Sequence, residues 1–528
     1  MSQTRLIIFS ALFLLLAGNS GLYQAVTNVY PLTGENILFL VSLIFVFWAV
    51  NAFLLGLVCF HFSIKWALPI IFLCSSQAAY FMDTYNVVID DTMLENALAT
   101  DSAEALDLFS LQQLLYLFGL GILPSWIVWK LPLEKASLRR VIAQRIGLML
   151  GSIAVIALCV VSLSSFYASF LREHKQLRFY ANPSYYMYSV GRLVKNKVDV
   201  TDRTLKLRGE DAVIVKSDKP KLVVMIVGET LRADHLGLNG YTRQTTPLLA
   251  ARERLYNFKD VWSCGTSTAF SVPCMFAIEG ADDYDRDEAR YIENVLDIAK
   301  HAGVKVVWID NNSDSKGVAD RVEFVDYKNP KFNPDCNVEC RDTGMWQGLK
   351  EVIDESNKQD LLVVLHQMGN HGPAYSRRYP SQFEIYTPVC ETNQLEKCST
   401  EHIVNAYDNI IYYTDFFIDG VISILEDKQD QFETAMLYAS DHGESLGENN
   451  LYLHGLPYTF APDEQKHVPM LLWLDDDMNS RFSNSNVNAN QTAKLSHDVI
   501  SHTLLDLLQI KTREFQAQFS VFGTGNAQ

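Results

Sequence analysis

The sequence has no excess of positive charge, no internal repeats and no low-complexity tracts. Its 44 lysine and arginine residues are outnumbered by 61 aspartate and glutamate residues, which gives a formal net charge of −17. This balance argues against a general nucleic-acid binder and against attraction to anionic lipid headgroups through overall charge. If the substrate is anionic, a local site must therefore capture it.

Cysteine is also scarce, and no two cysteines have the two-residue spacing that is typical of zinc ribbons. Of the nine, Cys59, Cys74 and Cys159 lie in apolar stretches, where we expect reduced thiols. The other six form close pairs, namely Cys264 with Cys274, Cys336 with Cys340, and Cys390 with Cys398. Such pairs favour three short-loop disulfides, and hence an oxidising compartment, over a cysteine-based zinc site.

Five apolar stretches within the first 170 residues approach or exceed the roughly 20 residues that a membrane-spanning helix needs. They cover residues 6–26, 37–60, 66–82, 111–129 and 146–170. The first is interrupted by Asn19, Ser20 and Gln24, and a signal peptide is the alternative interpretation. Because we find no convincing small-residue cleavage site, we expect a retained helix and a five-helix transmembrane domain at residues 1–170.

The charges of the loops predict how this domain is oriented in the membrane. The loop between the fourth and fifth stretches is basic, whereas the loop between the third and fourth is acidic and has no lysine or arginine. The basic loop is therefore expected inside, and five spans would place the rest of the chain outside. Residues 171–220 combine basic and aromatic side chains, so we interpret them as an interfacial connector; a solvated linker is the alternative.

The remaining part of the chain, residues 221–528, alternates short β-rich runs with helical stretches. Candidate strands cover residues 222–227, 304–309, 361–366, 435–440 and 468–473. The intervals are long enough for crossover helices, so the pattern predicts an α/β domain with a mainly parallel central sheet. Ligands of such sheets bind at the carboxyl ends of the strands.

Polar side chains follow four of these strands and predict a metal site. Glu229 follows the first strand, and Asp441 and His442 follow the fourth. Two carboxylates and an imidazole suit zinc, whereas calcium and magnesium prefer more oxygen ligands. His371, after the third strand, and His454 could bind a second ion or a phosphate, or could be structural histidines.

The segment that begins at Cys264 supplies hydroxyl groups for nucleophilic catalysis. A disulfide to Cys274 would constrain this loop. Zinc lowers the pKa of a hydroxyl group bound to it, so a serine or threonine here could act as the nucleophile. Position alone does not choose among the candidates, which are Thr266, Ser267, Thr268 and Ser271.

Taken together, these motifs resemble those of the phosphoethanolamine transferases that modify lipid A. That family belongs to the alkaline phosphatase and sulfatase superfamily and includes the mobile colistin resistance enzymes. The similarity covers nearly the whole chain, including the five-span anchor. It is carried by GETLRADH from Gly228, SCGTSTAFSVPCMF from Ser263, DNNSDSKGV from Asp310, NHGP from Asn370 and SDHGESLGENNLYLHG from Ser440.

The resemblance implies roles for the residues of the metal site. The family nucleophile matches Thr268. The family zinc ligands match Glu229, Thr268, Asp441 and His442. His371 and His454 match further histidines at the site, which would bind a second zinc ion or the phosphate.

The resemblance also implies residues that contact the substrate. Asn312 and Lys316 match positions near the bound phosphate group. Asn96, Thr100 and Glu104 recur every four residues and would share one face of a helix. This face is expected to help hold the lipid or ethanolamine headgroup; an ordinary amphipathic surface helix is the alternative.

The implied protein is a monomeric, multi-pass enzyme of the bacterial inner membrane with its catalytic domain in the periplasm. Phosphatidylethanolamine would be the donor and a phosphate of lipid A the acceptor, through a covalent intermediate on Thr268. Membrane lipids are expected partners and nucleic acid is not. Such a modification implies resistance to cationic peptides such as polymyxin and colistin.

Four other functions are alternatives to transfer of phosphoethanolamine to lipid A. Core heptose or another glycan would use the same catalytic centre, and a related enzyme would transfer phosphoglycerol instead. A sulfatase would need a Cys/Ser-x-Pro-x-Arg segment, and no such context surrounds Cys274. A non-catalytic membrane sensor of the same fold is disfavoured because the metal ligands are intact.

Overall fold

We describe the protein from a computed structural model. The structure describes residues 1–60, 62–99, 108–134, 136–172, 174–199, 204–337 and 339–523. The chain divides into two compact units. The first consists of Met1–Leu94 and Phe109–Asp199, and the second of Glu95–Leu108 and Val200–Gln528.

The first unit is helical. Its helices are α1 (Gln3–Ala17), α2 (Ser20–Val29), α3 (Gly34–Val58), α4 (Ile64–Tyr85), α5 (Asp91–Ala99, which continues into the second unit), α6 (Leu111–Tyr116), α7 (Leu123–Lys130), α8 (Leu138–Ser162), α9 (Ser164–Arg172) and α10 (Ser184–Asp199). A π-helical segment joins α6 to α7 within one continuous span.

Among the described residues, four helical spans are long and apolar enough to cross a membrane. They are Asn36–Val58, Ile64–Tyr85, Leu111–Lys130 and Leu138–Ser162. A fifth span exists if α1 and α2, which are bent by 64° relative to each other, count as one. The fifth predicted stretch, residues 146–170, began too late, because the first turns of α8 carry Arg139 and Arg140 and so escape a search for apolar runs. It also extended too far, because the span ends at Ser162 and a separate helix, α9, follows.

The bend between α1 and α2 is stabilised by two buried asparagines. Asn19 Nδ2 donates to the carbonyl oxygen of Asn182 at 2.7 Å, and Asn182 N donates back to Asn19 Oδ1 at 2.8 Å. Asn182 Nδ2 also donates to the carbonyl oxygens of Gly18, at 3.0 Å, and Ser75, at 2.9 Å. The bond to Gly18, together with one from Asn19 Nδ2 to the carbonyl oxygen of Leu14 at 2.9 Å, pairs carbonyl groups at the end of α1 that the interrupted helix leaves without intrahelical partners.

The second unit is built around an eight-stranded sheet in the order β11-β3-β10-β7-β2-β6-β4-β5. The strands of this unit are β1 (Val213–Ile214), β2 (Lys221–Gly228), β3 (Leu255–Trp262), β4 (Lys305–Asp310), β5 (Glu323–Asp326), β6 (Leu361–His366), β7 (Glu433–Ser440), β8 (Ser445–Leu446), β9 (Tyr452–Leu453), β10 (His467–Leu474), β11 (Lys494–Ser496) and β12 (Ile510–Lys511). Strand β10 runs antiparallel to β3 and β7, and the other pairs of this sheet are parallel. The predicted mainly parallel sheet is therefore confirmed.

Helices accompany the sheet in the second unit. They are α11 (Pro247–Ala250), α12 (Thr268–Phe276), α13 (Arg286–Ala289), α14 (Val295–His301), α15 (Met345–Asp354), α16 (Thr400–Glu426), α17 (Asp476–Arg481), α18 (Val487–Asn490) and α19 (Val499–Leu507). Strands β2, β6 and β7 are buried along their whole length. Their nearly continuous apolar sequences are typical of parallel strands that are covered on both faces.

All five predicted strands are present, with ends that differ by at most two residues. Within the eight-stranded sheet, sequence reasoning missed β3, β5 and β11, and outside it the two-residue strands β1, β8, β9 and β12. In β3, polar residues such as Asn257, Lys259 and Asp260 break the apolar run, and the pairing with β10 and β11 provides the stability that local pattern does not. The three predicted disulfides, Cys264–Cys274, Cys336–Cys340 and Cys390–Cys398, are present.

The asparagine pair at the bend gives a first testable prediction. Asn19→Ala should lower the free energy of unfolding of the membrane unit by about 1–3 kcal/mol, because it leaves buried backbone groups of Asn182 without partners. Thermal unfolding of the full chain in detergent measures the change. Asn36→Ala is the control, because the Asn36 side chain makes an exposed bond to the carbonyl oxygen of Pro31 at 3.0 Å. Equal transition temperatures for the two variants would contradict the proposed role of the pair.

Candidate metal and nucleophile site

Glu229 lies directly after β2, and its side chain is fully buried. Thr230 Oγ1 donates to Glu229 Oε1 at 2.6 Å, and Asn312 Nδ2 donates to Glu229 Oε2 at 2.8 Å. Gly369, at φ +48°, packs so closely that an added Cβ would lie 2.9 Å from the Glu229 carbonyl oxygen. Neighbouring loops therefore fix both the backbone and the carboxylate of Glu229.

Asp441 and His442 follow β7, which is the parallel neighbour of β2. Asp441 Oδ1 accepts hydrogen bonds from the backbone N–H groups of Thr230, at 3.1 Å, and His442, at 2.7 Å. His442 Nδ1 lies 2.9 Å from the carbonyl oxygen of Gly443, to which it donates, so in the neutral ring Nε2 carries the free lone pair. The parallel pairing thus brings a second carboxylate and an imidazole to Glu229.

The three side chains fit a divalent metal ion. One ligand atom from each of Glu229, Asp441 and His442 lies within 4.8 Å of the others. His442 Nε2 is 3.3 Å from Asp441 Oδ2 and 3.5 Å from Glu229 Oε1. Within the described part of the chain, the buried Asp441 Oδ2 has no hydrogen-bond partner, which is costly unless a cation contacts it.

Of the candidate hydroxyls in the loop that begins at Cys264, Thr268 contacts these predicted ligands. It is the first residue of α12, and its Oγ1 lies 3.2 Å from Glu229 Oε2 and 3.4 Å from His442 Nε2. Thr266 Oγ1 instead donates to the carbonyl oxygen of Leu456 at 2.6 Å. The geometry therefore separates two candidates that sequence position alone did not.

A second group of possible ligands adjoins the first. The ring centroids of His442 and His454 are 4.3 Å apart, and those of His371 and His454 are 6.0 Å apart. His454 Nδ1 lies 2.8 Å from Glu444 Oε2, and Tyr375 donates its hydroxyl to Glu444 Oε1 at 2.7 Å. His442, Glu444 and His454 also meet the spacing that a metal ion requires.

The remaining predicted site residues lie in different places. Asn312 contacts the Glu229 carboxylate rather than open space, and it also donates to the carbonyl oxygen of Gln367 at 2.7 Å. Lys316 Nζ donates to the Ser313 hydroxyl at 2.8 Å. Asn96 is in α5, whereas Thr100 and Glu104 lie outside the described residues.

Burial and neighbouring charges shift the pKa values of the metal-free site. Burial raises the pKa of Glu229, but His442, His371 and His454 outweigh it and lower the pKa to about 2. Burial, and then the charge of Glu229, raise the pKa of Asp441 to about 7. Burial lowers the pKa of His442, but Asp441 and Glu229 outweigh it and the net shift is upward. Burial also raises the pKa of Glu444 to about 8.

Comparison with known proteins agrees with this geometry. Residues 221–510 match the Sulfatase family model, and residues 47–198 match the family model for phosphoethanolamine transferase EptA/EptB. The chain is 44% identical to phosphatidylethanolamine transferase Mcr-1 of Escherichia coli over 95% of this chain and 94% of that protein. It is 38% identical to phosphoethanolamine transferase EptA of Escherichia coli K12, over 98% and 96%.

A solved structure extends the similarity to both units. Lipooligosaccharide phosphoethanolamine transferase A (EptA) from Neisseria meningitidis, an integral membrane protein, superposes with a TM-score of 0.93 at 33% identity, over 99% of this chain and 98% of that one. The fold and site thus define a membrane-anchored enzyme of the sulfatase type. Within that class, the chain belongs to the EptA and Mcr family of phosphoethanolamine transferases.

Sequence reasoning placed Glu444 in a motif but gave it no role. The signal that could have found it is its position two residues after His442, in a loop that already carries two predicted metal ligands. Its partner His454 comes ten residues later, so their contact depends on the β8–β9 hairpin. That hairpin is short and has no strong sequence pattern.

The contact between Asn312 and Glu229 gives a testable prediction. Asn312→Asp would place a second negative charge where an N–H group now donates, so it should raise the proton affinity of Glu229 and misalign its carboxylate. We expect metal affinity to fall by about tenfold or more, which corresponds to about 1.4 kcal/mol. Titration of metal-free protein with a divalent cation measures it.

The control for this variant is Asn490→Asp. Asn490 is also buried, and its Nδ2 donates to the carbonyl oxygen of Val521 at 2.8 Å, away from the metal ligands. It should lose stability without a specific loss of metal affinity. Unchanged affinity in Asn312→Asp, or an equal loss in both variants, would show that Asn312 does not support Glu229.

Proposed function

We propose that this protein is a zinc-dependent phosphotransferase that transfers phosphoethanolamine from phosphatidylethanolamine to a phosphate of lipid A. One observation carries the proposal: Thr268 Oγ1 lies 3.2 Å from the Glu229 carboxylate and 3.4 Å from His442 Nε2. Relatives that are 44% and 38% identical are named as transferases of this group.

The proposed division of the chain follows from the same function. Residues 1–170 anchor the enzyme in the bacterial inner membrane, residues 171–220 form an interfacial connector, and residues 221–528 form the periplasmic catalytic domain. Donor and acceptor are both lipids, so an anchored monomer meets them at the membrane surface. The disulfides suit an oxidising compartment such as the periplasm.

Glu229, Asp441 and His442 would hold one zinc ion together with Thr268. Two carboxylate oxygens, an imidazole nitrogen and a hydroxyl oxygen are ligands that zinc accepts. Zinc bound there would act as a Lewis acid and lower the pKa of a coordinated hydroxyl group. His371 and His454, the latter oriented by Glu444, would hold a second ion or the phosphate group.

The reaction has two displacement steps. In the first, Thr268 Oγ1 attacks the phosphorus of phosphatidylethanolamine as the bond to the diacylglycerol oxygen breaks, and diacylglycerol leaves with a proton. In the second, an oxygen of a monoprotonated phosphate of lipid A attacks the same phosphorus, and Thr268 Oγ1 departs and takes up the proton that this phosphate releases. Each step exchanges one phosphorus–oxygen bond for another, so the enzyme contributes mainly orientation and charge stabilisation.

The substrate contacts are assigned to residues around this centre. Lys316 would stabilise the oxygens of the phosphate group, and Asn312, whose side-chain N–H groups donate to Glu229 and Gln367, would act on it through the Glu229 carboxylate. Asn96, Thr100 and Glu104 would contact the headgroup. A solved relative at 33% identity is named a lipooligosaccharide phosphoethanolamine transferase, which supports a glycolipid that contains lipid A as the acceptor. Expression is therefore expected to give resistance to polymyxin and colistin.

The nucleophile is tested by substitution. Thr268→Ala should form no covalent phosphoethanolamine adduct and leave lipid A unmodified, whereas Thr268→Ser should retain part of both activities because it keeps a hydroxyl group. Mass spectrometry of the intact protein and of extracted lipid A measures the two products.

Thr266→Ala is the matched control. It removes a neighbouring hydroxyl whose bond goes to Leu456, so adduct formation should persist. If Thr268→Ala protein is active and carries the adduct on another residue, Thr268 is not the nucleophile. Transfer of phosphoglycerol, or modification of another glycan alone, would correct the donor or the acceptor.

The raised pKa of Asp441 predicts how zinc binding depends on pH. Its carboxyl group, with a pKa of about 7, must lose its proton to bind zinc, and so must protonated His442, whose pKa is also raised. Glu229, with a pKa of about 2, is already ionised. Below pH of about 7 zinc should therefore displace one to two protons, and its affinity should fall by about tenfold for each proton per pH unit.

Calorimetric titration in buffers of different ionisation enthalpy counts these protons. Asp415→Asn is the control, because burial raises the pKa of Asp415 to about 7 although its carboxylate caps α11 rather than facing the site. It should leave the pH dependence unchanged. Zinc affinity that is independent of pH between 5 and 7 would mean that Asp441 and His442 are not the ligands.

A further inference from the structure

His497 connects the loop that carries Thr268 to the end of β7 that precedes Asp441 and His442. It lies between β11 and α19, and its side chain is fully buried. The backbone N–H of Cys264 donates to His497 Nδ1 at 3.2 Å, and His497 Nε2 lies 2.9 Å from the carbonyl oxygen of Ser440. An N–H group only donates and a carbonyl only accepts, so both bonds form only when the ring is neutral and carries its hydrogen on Nε2.

The ring is fixed in this form. Burial lowers the pKa of His497 to about 3, so the neutral form persists at neutral pH. The backbone N–H of His497 also donates to the carbonyl oxygen of Trp262, the last residue of β3, at 3.0 Å. His497 is therefore held by its own backbone while its ring contacts two other segments.

The two ends of this bridge belong to different halves of the site. Cys264 begins the loop that carries Thr268, and its disulfide to Cys274 ties that loop to α12. Ser440 ends β7 and directly precedes Asp441 and His442. Strands β3 and β7 are not neighbours, because β10 lies between them.

The intervening strand does not make this connection itself. The ladder between β7 and β10 ends at the pair Ala439 and Met470. Because the two strands are antiparallel, the residue of β10 that would come opposite Ser440 is Pro469, which precedes Met470 in the chain. Proline has no backbone N–H to donate, so it cannot supply a ladder bond to β7 at this position. The register of β10 with β3 is also irregular here, between Val468 and Met470. The imidazole of His497 instead donates the hydrogen bond that the carbonyl oxygen of Ser440 accepts.

We propose that His497 is a positioning residue that sets the nucleophile loop at a fixed distance from the metal-binding end of β7. The proposal rests on the proposed function, since it assumes that Thr268 is the nucleophile and that Asp441 and His442 bind the metal. Thr268 Oγ1 lies 3.4 Å from His442 Nε2, and a shift of about 1 Å in a reacting group can cost about a hundredfold in rate.

The competing explanation is that His497 only stabilises the core, and His502 offers a matched control. His502 is also buried; the backbone N–H of Gln516 donates to its Nδ1 at 3.2 Å, and its Nε2 lies 3.3 Å from the carbonyl oxygen of Ile278. It therefore joins two backbone segments by the same pair of bonds, away from the metal ligands. Loss of either ring should cost similar stability, but only loss of His497 should change the chemistry.

The experiment uses the full chain in lipid nanodiscs that contain phosphatidylethanolamine. We measure the rate of adduct formation on Thr268, its dependence on donor concentration, zinc content and the thermal transition. His497→Ala should form the adduct about 10- to 100-fold more slowly, with the donor KM within about twofold of wild type and zinc still bound. His502→Ala should lose similar stability and keep the wild-type rate.

Two further variants retain one end of the bridge each. His497→Asn offers an acceptor to Cys264, and His497→Gln offers a donor to Ser440. Their rates of adduct formation should lie between those of wild type and His497→Ala. If His497→Ala does not fold, these two variants test the positioning role of His497 in its place.

Three outcomes would contradict the proposed positioning role of His497. They are a wild-type rate in the His497 variants, an equal loss of rate in His502→Ala, or a loss fully explained by missing zinc or unfolded protein. If wild-type protein itself forms no adduct on Thr268, the proposed function fails and this inference fails with it. A wild-type adduct that His497 variants form at the normal rate overturns the inference alone.

Discussion

Two carboxylates, Glu229 and Asp441, are buried side by side at the ends of neighbouring parallel strands. Both come within 3.5 Å of the same nitrogen, His442 Nε2. Two negative charges in so dry a place are stable only if one is neutralised or a cation joins them, which is why the pKa of Asp441 is raised in the metal-free site. A divalent ion would resolve this conflict without protonation, so the charges at these two strand ends favour metal binding.

Much of the surrounding structure keeps those charges in place. Asn312 donates to Glu229, Thr230 donates to both carboxylates, and Gly369 allows the next loop to approach closely. Thr268 then approaches from a separate loop, whose position depends on a disulfide and, in our proposal, on His497. The proposed ligands and the proposed nucleophile are thus positioned by different contacts, so their effects on metal binding and on rate can be separated.

Part of this arrangement could be predicted from sequence. Strands β2, β6 and β7 are apolar along their length, so the residues that follow them could be placed at one edge of the sheet. The resemblance to a known family selected Thr268 among four hydroxyls. By contrast, β3 and the start of α8 carry polar or basic residues, and their positions depend on tertiary pairing. His497 and Glu444 act through partners that are distant in sequence or joined by a short hairpin, so no local pattern reveals them.

The central claim is that the metal ion which activates the nucleophile is held by Glu229, Asp441 and His442. Anomalous diffraction at the zinc absorption edge, from crystals of the full chain, tests it most directly, because the structure offers a competing group in His442, Glu444 and His454. We expect an anomalous peak for zinc within bonding distance of Glu229, Asp441, His442 and the Thr268 hydroxyl. Zinc found only at the competing group, with Glu229 uncoordinated, would contradict it.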